Sequence, residues 1–120
     1  MVNVPEKESV AAYAIWDPAV RKTGIARLAV INTAIRNVTM DATTVDETVT
    51  MDLTPFIDSK RPSPKVKRMT APGADSKDVD SVTWAGQAFT NGTASGHEVI
   101  EKLYHGKVIV KGSECVLVFF

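Results

Sequence analysis

A chain of 120 residues, 44% hydrophobic and 23% charged, has the length and composition of one soluble globular domain, residues 1–120, and not of a disordered segment. Its 14 Lys and Arg balance 14 Asp and Glu, so no basic surplus exists to neutralise phosphates, and nucleic acid and anionic membrane are excluded as expected partners. The opening run Met1-Val2-Asn3-Val4-Pro5-Glu6-Lys7-Glu8 has neither the basic nor the apolar region of a signal peptide, and no apolar stretch approaches a membrane span, so no membrane insertion is expected.

Short β-rich runs separated by turn residues recur along the chain, the pattern of an all-β sandwich or barrel. The first predicted strand runs from Ala11 to Trp16 and stops at the turn opener Asp17-Pro18. Ser9 to Ala14 also fits a helix, which makes this the least determined element. Ile25 to Asn32 alternates, with Ala26, Leu28 and Val30 on one face and Arg27 on the other. Thr43 to Leu53 alternates again: Val45, Val49, Met51 and Leu53 inward, Asp46, Thr48, Thr50 and Asp52 outward, as in a half-exposed antiparallel strand. Arg61-Pro62-Ser63-Pro64 is a loop, since two prolines cannot both join a central ladder. Lys65 to Thr70 is a strand, broken by Ala71-Pro72-Gly73, and the polar stretch Ala74 to Ser81 is a loop. Glu98 to Tyr104 and Lys107 to Val110 flank His105-Gly106 and are predicted to form a hairpin. After the turn Lys111-Gly112-Ser113, the apolar run Glu114 to Phe120 is expected to be buried on both faces. Cys115, the only cysteine, lies within it, so no intrachain disulfide can form and a buried, inert thiol is expected.

The titratable residues supply no convincing chemistry. Asp46 and Glu47 are adjacent on a predicted strand and so point to opposite faces. Asp78 and Asp80 sit in a polar loop, and Glu98 and Glu101 on a half-exposed strand edge; none makes the pair of carboxyls about 5–5.5 Å apart that retaining glycoside hydrolysis uses. The two histidines, His97 and His105, have no companion cluster of metal-ligand type. There is no Gly-x-Ser-x-Gly elbow, and Gly73, Gly86, Gly92 and Gly96 are too scattered to cradle a phosphate. No catalytic residue, metal ligand or cofactor is expected.

Two segments carry a resemblance: Lys67-Arg68-Met69-Thr70-Ala71-Pro72-Gly73-Ala74-Asp75, and Val82-Thr83-Trp84-Ala85-Gly86-Gln87 shortly after. With Arg27-Leu28-Ala29-Val30-Ile31-Asn32 before them and Gly112-Ser113-Glu114-Cys115-Val116-Leu117-Val118 after them, the chain resembles the C-terminal β-domain of glycoside hydrolase family 79, the β-glucuronidases and heparanase relatives. The resemblance implies an antiparallel, Greek-key-like β-sandwich of about eight strands that packs, in the parent enzymes, against a (β/α)₈ barrel. The barrel carries the family's catalytic glutamates and by itself needs about 200–250 residues, so none of those glutamates maps onto this sequence. Cys115 and Met69 stand where alanine and leucine are usual in the family, and both read as core substitutions tolerable by volume.

What is left is binding. Trp84, Trp16 and Tyr104 offer flat apolar faces with polar tips, suited to stacking on sugars or anchoring a protein, and Gln87 is placed to hydrogen-bond a ligand beside Trp84. Tyr13 is expected in the core and Trp16 half-buried beside its turn. Two N-glycosylation sequons, Asn37-Val38-Thr39 and Asn91-Gly92-Thr93, and the resemblance to secreted enzymes both point to an extracellular, fungal-type protein. The expected role is therefore a non-catalytic β-sandwich that binds a glycan or a cell-surface protein, in a lectin-like or immunomodulatory manner. The alternative is an accessory domain that stabilises a family 79 barrel. Either way a face that the barrel would cover must have become polar or found a partner, and a homodimer is one way to cover it.

Overall fold

In the computed structural model, which describes residues 9–36 and 48–120, ten antiparallel strands form a six-stranded sheet, a two-stranded sheet packed on its inner face, and a separate hairpin. The large sheet has the order β1 (Val10–Ile15), β2 (Arg27–Asn32), β10 (Glu114–Phe119), β4 (Lys65–Thr70), β5 (Thr83–Trp84); β8 (Glu101–Lys102) pairs with the other end of β4. The small sheet joins β3 (Val49–Asp52) to β9 (Lys107–Val110), and the hairpin joins β6 (Ala88–Thr90) to β7 (Thr93–Ser95). Two single 3-10 turns, Thr54–Phe56 and Val79–Ser81, punctuate the connections. The strand count exceeds the expected eight because β5 and β8 are only two residues long.

The alternation that predicted strands also builds the core. Leu28 and Val30 of β2, Val116 and Val118 of β10, and Val66 of β4 face Val49 and Met51 of β3 and Val108 and Val110 of β9, with Ile25 and Leu53 closing the layer. The last strand of the chain lies between β2 and β4, in the centre of the sheet, so its ladder is satisfied on both sides. That placement is the Greek-key feature of the fold. The chain has already crossed to the small sheet and back before β10 is inserted.

Three X-Gly pairs make the tight turns. Ala85-Gly86 (φ 50° and 77°), Asn91-Gly92 (52° and 75°) and His105-Gly106 (49° and 74°) all have both central residues left-handed, as a type I′ turn requires. The turn expected at His105-Gly106 is therefore present, closed by Tyr104 and Lys107 through N–H···O=C bonds of 3.1 and 2.9 Å. Its flanks do not form one hairpin ladder, however. Beyond that pair the chains diverge: β8 joins β4 in the large sheet and β9 joins β3 in the small one.

Five burial expectations are corrected. β10 is not buried on both faces: Glu114, Val116 and Val118 are buried, while Cys115, Leu117 and Phe119 are half-buried on the opposite face. Cys115 is thus an outer-face residue and not a core thiol, and its register partner Met69, 45% exposed, is no core residue either. Tyr13, expected in the core, points outward at 59% exposed, and Trp16, expected half-buried, is 67% exposed. Ser9 to Ala14 is not helical; it supplies most of β1. Of the alternation read over Thr43 to Leu53, Val49, Met51 and Leu53 are buried as expected, and 43–47 lie outside the described residues.

Candidate functional site

The segments that carry the family resemblance close one end of the sandwich. Arg68 reaches from the inner face of β4. Its Nε and Nη2 donate to Glu101 at 3.0 and 3.3 Å, and its Nη1 donates to Glu114 Oε2 at 2.9 Å and to the Ile109 carbonyl at 2.7 Å. Glu114 Oε2 also accepts the Lys111 N–H at 3.2 Å. Burial works against the charge on Arg68, but the hydrogen bonds and charges of Glu101 and Glu114 outweigh it and raise the guanidinium pKa further. Beside this cluster Asn32, 1% exposed, donates from Nδ2 to the Val110 carbonyl at 3.1 Å. The remaining motif residues pin the edge: Ala85 N–H to Arg68 C=O at 2.8 Å, Ala74 N–H to Arg36 C=O at 2.6 Å, and Thr70 Oγ1 to Thr83 Oγ1 at 3.2 Å. The cavity alongside, lined by Arg68, Thr83, Val99 and Glu101, holds about 180 Å³, below the roughly 300 Å³ at which small-molecule sites begin. Glu101 and Glu114 hold an arginine here, and the cluster is a structural clasp joining β4, β8, β9 and β10.

The opposite face of the large sheet is different. Because the strands are in register, their outward side chains fall in three rows. The first is Ile15, Arg27, Phe119 and Lys65; the second is Tyr13, Ala29, Leu117 and Lys67; the third is Ala11, Ile31, Cys115, Met69 and Trp84. The charges are confined to the first two rows, where Arg27 pairs with Asp17 at 3.5 Å and Lys67 with Glu98 at 3.3 Å while lying over the Phe119 ring. The third row has no charge at all. Its five strands span about 19 Å at ~4.8 Å per strand, and Val82 and Phe89 extend it beyond the β5 edge. Two shallow depressions follow it. One, of about 270 Å³, lies among Ile31, Met69, Val82 and Cys115; the other, of about 280 Å³, lies among Met69, Val82, Trp84 and Phe89. Phe89, at 55% exposed, stands on the β6–β7 hairpin, which Thr90 Oγ1 anchors to Asp80 Oδ1 at 2.9 Å.

The four residues selected as ligand contacts do not converge. Trp84 and Gln87 flank one tight turn, where Trp84 N–H and Gln87 C=O are 2.9 Å apart. Gln87 spends its Nε2 on the Gly96 carbonyl at 3.1 Å, tying the turn to the end of the hairpin. Trp16 follows β1, at the far edge of the sheet. Tyr104, 77% exposed, lies in the β8–β9 turn against the His105 ring, with ring centroids 4.3 Å apart. Only Trp84 belongs to the apolar band. Asn91 is exposed at the tip of the β6–β7 hairpin, and Asn37 lies outside the described residues. Among the described residues no three His, Cys, Asp or Glu side chains come together to hold a metal ion. The residues that sequence reasoning missed are Ile31, Met69, Val82 and Phe89. For Ile31 and Met69 the signal was an apolar residue at an outward position of β2 and β4, where a solvated face would carry polar ones; Val82 and Phe89 lie before β5 and on β6 and carried no such signal.

Residues 12–117 match the family profile of the glycosyl hydrolase family 79 C-terminal beta domain. Among solved structures, the chain is similar to a 4-O-α-L-rhamnosyl-β-D-glucuronidase from Fusarium oxysporum 12S in complex with Rha-GlcA, with 27% sequence identity and a TM-score of 0.63. The alignment covers 92% of this chain and 23% of that one, so the likeness is to one domain of the larger protein. No curated protein matches the sequence.

Proposed function

Because this chain belongs to the glycosyl hydrolase family 79 C-terminal β-domain family, we propose that it is a non-catalytic docking domain whose contact surface is the apolar outer band of the large sheet. The observation that carries the reading is the third row, Ala11, Ile31, Cys115, Met69 and Trp84, which is uncharged across the whole sheet and prolonged by Val82 and Phe89. An apolar band rimmed by the ion pairs of Arg27 and Lys67 has the anatomy of a protein-binding face. The partner it suits best is a (β/α)₈ barrel of the family 79 β-glucuronidase type, since the Fusarium protein is a chain of which this domain covers only 23%. A cell-surface protein would use the same band. A glycan is the weaker partner, because sugar stacking needs aromatic faces with polar groups beside them, and the Gln87 amide near Trp84 is spent on the Gly96 carbonyl. The exposed sequon at Asn91 supports an extracellular location.

Titration calorimetry of this chain against a family 79 barrel freed of its own β-domain tests the proposal. Binding with a negative heat-capacity change is expected, and Met69→Lys, which puts a charge in the uncharged row, should weaken it at least tenfold without lowering the thermal midpoint. If the barrel gives no binding while the chain is retained on a glycan array, the band is not the functional surface.

A further inference from the structure

The two edges of the large sheet are built differently. On the β4 side the edge consists of β5 and β8, two residues each, and an edge so short offers little template to another strand. On the other side β1 runs for six residues, Val-Ala-Ala-Tyr-Ala-Ile, with no charge and no proline to guard it. Among the described residues β2 is its only strand partner.

The hydrogen-bond phase fixes which main-chain groups point away from β2. Thr33 N–H donates to the Ser9 carbonyl at 2.7 Å. In the register that sets Val10 opposite Asn32, this makes Ser9 and Thr33 a hydrogen-bonded pair. Alternation then turns the N–H and C=O groups of Ala11, Tyr13 and Ile15 toward β2, and those of Val10, Ala12 and Ala14 toward the open edge.

We propose that β1 pairs antiparallel with β1 of a second copy of this chain, about a twofold axis at Ala12. In that register Ala12 faces Ala12 of the second copy and Val10 faces Ala14, so three hydrogen-bonded pairs close about six hydrogen bonds, two per pair. No outward group of Val10, Ala12 or Ala14 is left over, which no other register of the two strands achieves. The strand carries no charge to repel its copy, and the whole chain has a formal net charge of +0. On the outer face Tyr13 meets Ala11 of the second copy, and the apolar rows continue across the junction. The contact is one strand wide and about 20 Å long at ~3.4 Å per residue, a narrower contact than the patches that bury the roughly 1,200 Å² of a stable interface. The dimer is therefore weak and forms at high protein concentration. It uses the sheet edge and touches the outer band only at Ala11, so it stands apart from the docking role.

Cysteine cross-linking in the full chain tests both the contact and its register. In a Cys115→Ala background, Ala11→Cys and Tyr13→Cys are made separately and oxidised with diamide, alone and mixed. Residues 11 and 13 of opposing copies form a non-hydrogen-bonded pair with Cα atoms about 4.5 Å apart, within disulfide reach; like residues lie on diagonals about 7–8 Å apart. The mixture should yield a covalent heterodimer by intact mass, at least tenfold more than either variant alone. Adding Ala12→Pro to both removes only an outward N–H, which an edge strand tolerates, and should return cross-linking to background while the circular dichroism stays that of the folded sheet. No cross-link in the mixture, equal cross-linking in each variant alone, or a cross-link that survives Ala12→Pro would overturn the proposal.

Discussion

Removing the guanidinium of Arg68 is the sharpest perturbation the fold offers. Arg68→Met keeps much of the aliphatic stem and deletes the group that binds Glu101, Glu114 and the Ile109 carbonyl. The two glutamates predict very different losses. Glu101, with its side chain 39% exposed, is solvated, so its arm of the cluster contributes at most about 1 kcal/mol. Glu114 is 9% exposed and keeps only the Lys111 N–H as a donor, so losing Arg68 strands a buried carboxylate, a change that costs about 3–5 kcal/mol. Domains of this kind are stable by only ~5–15 kcal/mol, so the variant should fold but unfold at much lower urea. The assay is equilibrium urea unfolding with an unchanged m-value. Glu101→Gln should cost about 1 kcal/mol or less. The double variant Arg68→Met/Glu114→Leu should recover part of the loss, because no unpaired charge remains buried. If Arg68→Met costs no more than Glu101→Gln, or if the double variant is as unstable as Arg68→Met alone, the assignment of this cluster as the clasp of the sandwich is wrong.

Two further outcomes follow from the turns and the thiol. Gly92 and Gly86 have nearly the same φ, +75° and +77°, but a Cβ at Gly92 meets nothing within 4 Å, whereas at Gly86 it comes within 2.7 Å of Val99 Cγ2 and 3.2 Å of the His97 carbonyl. Gly92→Ala should therefore cost only the left-handed penalty of about 1–2 kcal/mol, and Gly86→Ala about 1–3 kcal/mol more through overpacking; equal thermal midpoints would show that the space around the turn does not matter. At Cys115 burial pushes the thiol pKa up, so alkylation near pH 8 should be slower than that of an unfolded control. As pH rises past the ordinary thiol value the unfolded chain loses this proton first, the folded state binds more protons, and stability falls. Urea midpoints at pH 7 and pH 10 should thus differ more for the wild type than for Cys115→Ala.

Much of the fold was legible because local pattern and tertiary position agree. Lys65 to Thr70 is a strand over the residues expected, and Arg27, Leu28 and Val30 divide between faces as their alternation says. Where reading failed, the sequence carried a true signal with two meanings. The apolar run of β10 reads as burial on both sides, yet only Val116 and Val118 enter the core, while Leu117 and Cys115 lie on the outer face. Periodicity cannot separate a strand between two layers from one whose second face waits for a partner. The split of β8 and β9 into different sheets was equally hidden, because His105-Gly106 fixes a turn and says nothing about where its arms go afterwards. Tyr13 and Trp16 were misplaced for a related reason. Aromatic residues are usually well buried, but an edge strand under no second layer leaves its outward rings in solvent.

The segments that carry the family likeness therefore report how the sandwich is held shut. Arg68, Thr70, Ala85 and Glu114 are engaged with one another, with neighbouring side chains or with the main chain. The proposed docking face lies on the other side of the large sheet. Cys115 and Met69 are direct register partners on the third outer row. Cys115 and the unbranched, adaptable Met69 line the depression between Ile31 and Val82 and keep it apolar. A charge at position 69 would cost the fold almost nothing, since Met69 is 45% exposed. On the docking proposal, a charge at position 69 should therefore weaken partner binding while leaving the urea midpoint of the domain unchanged.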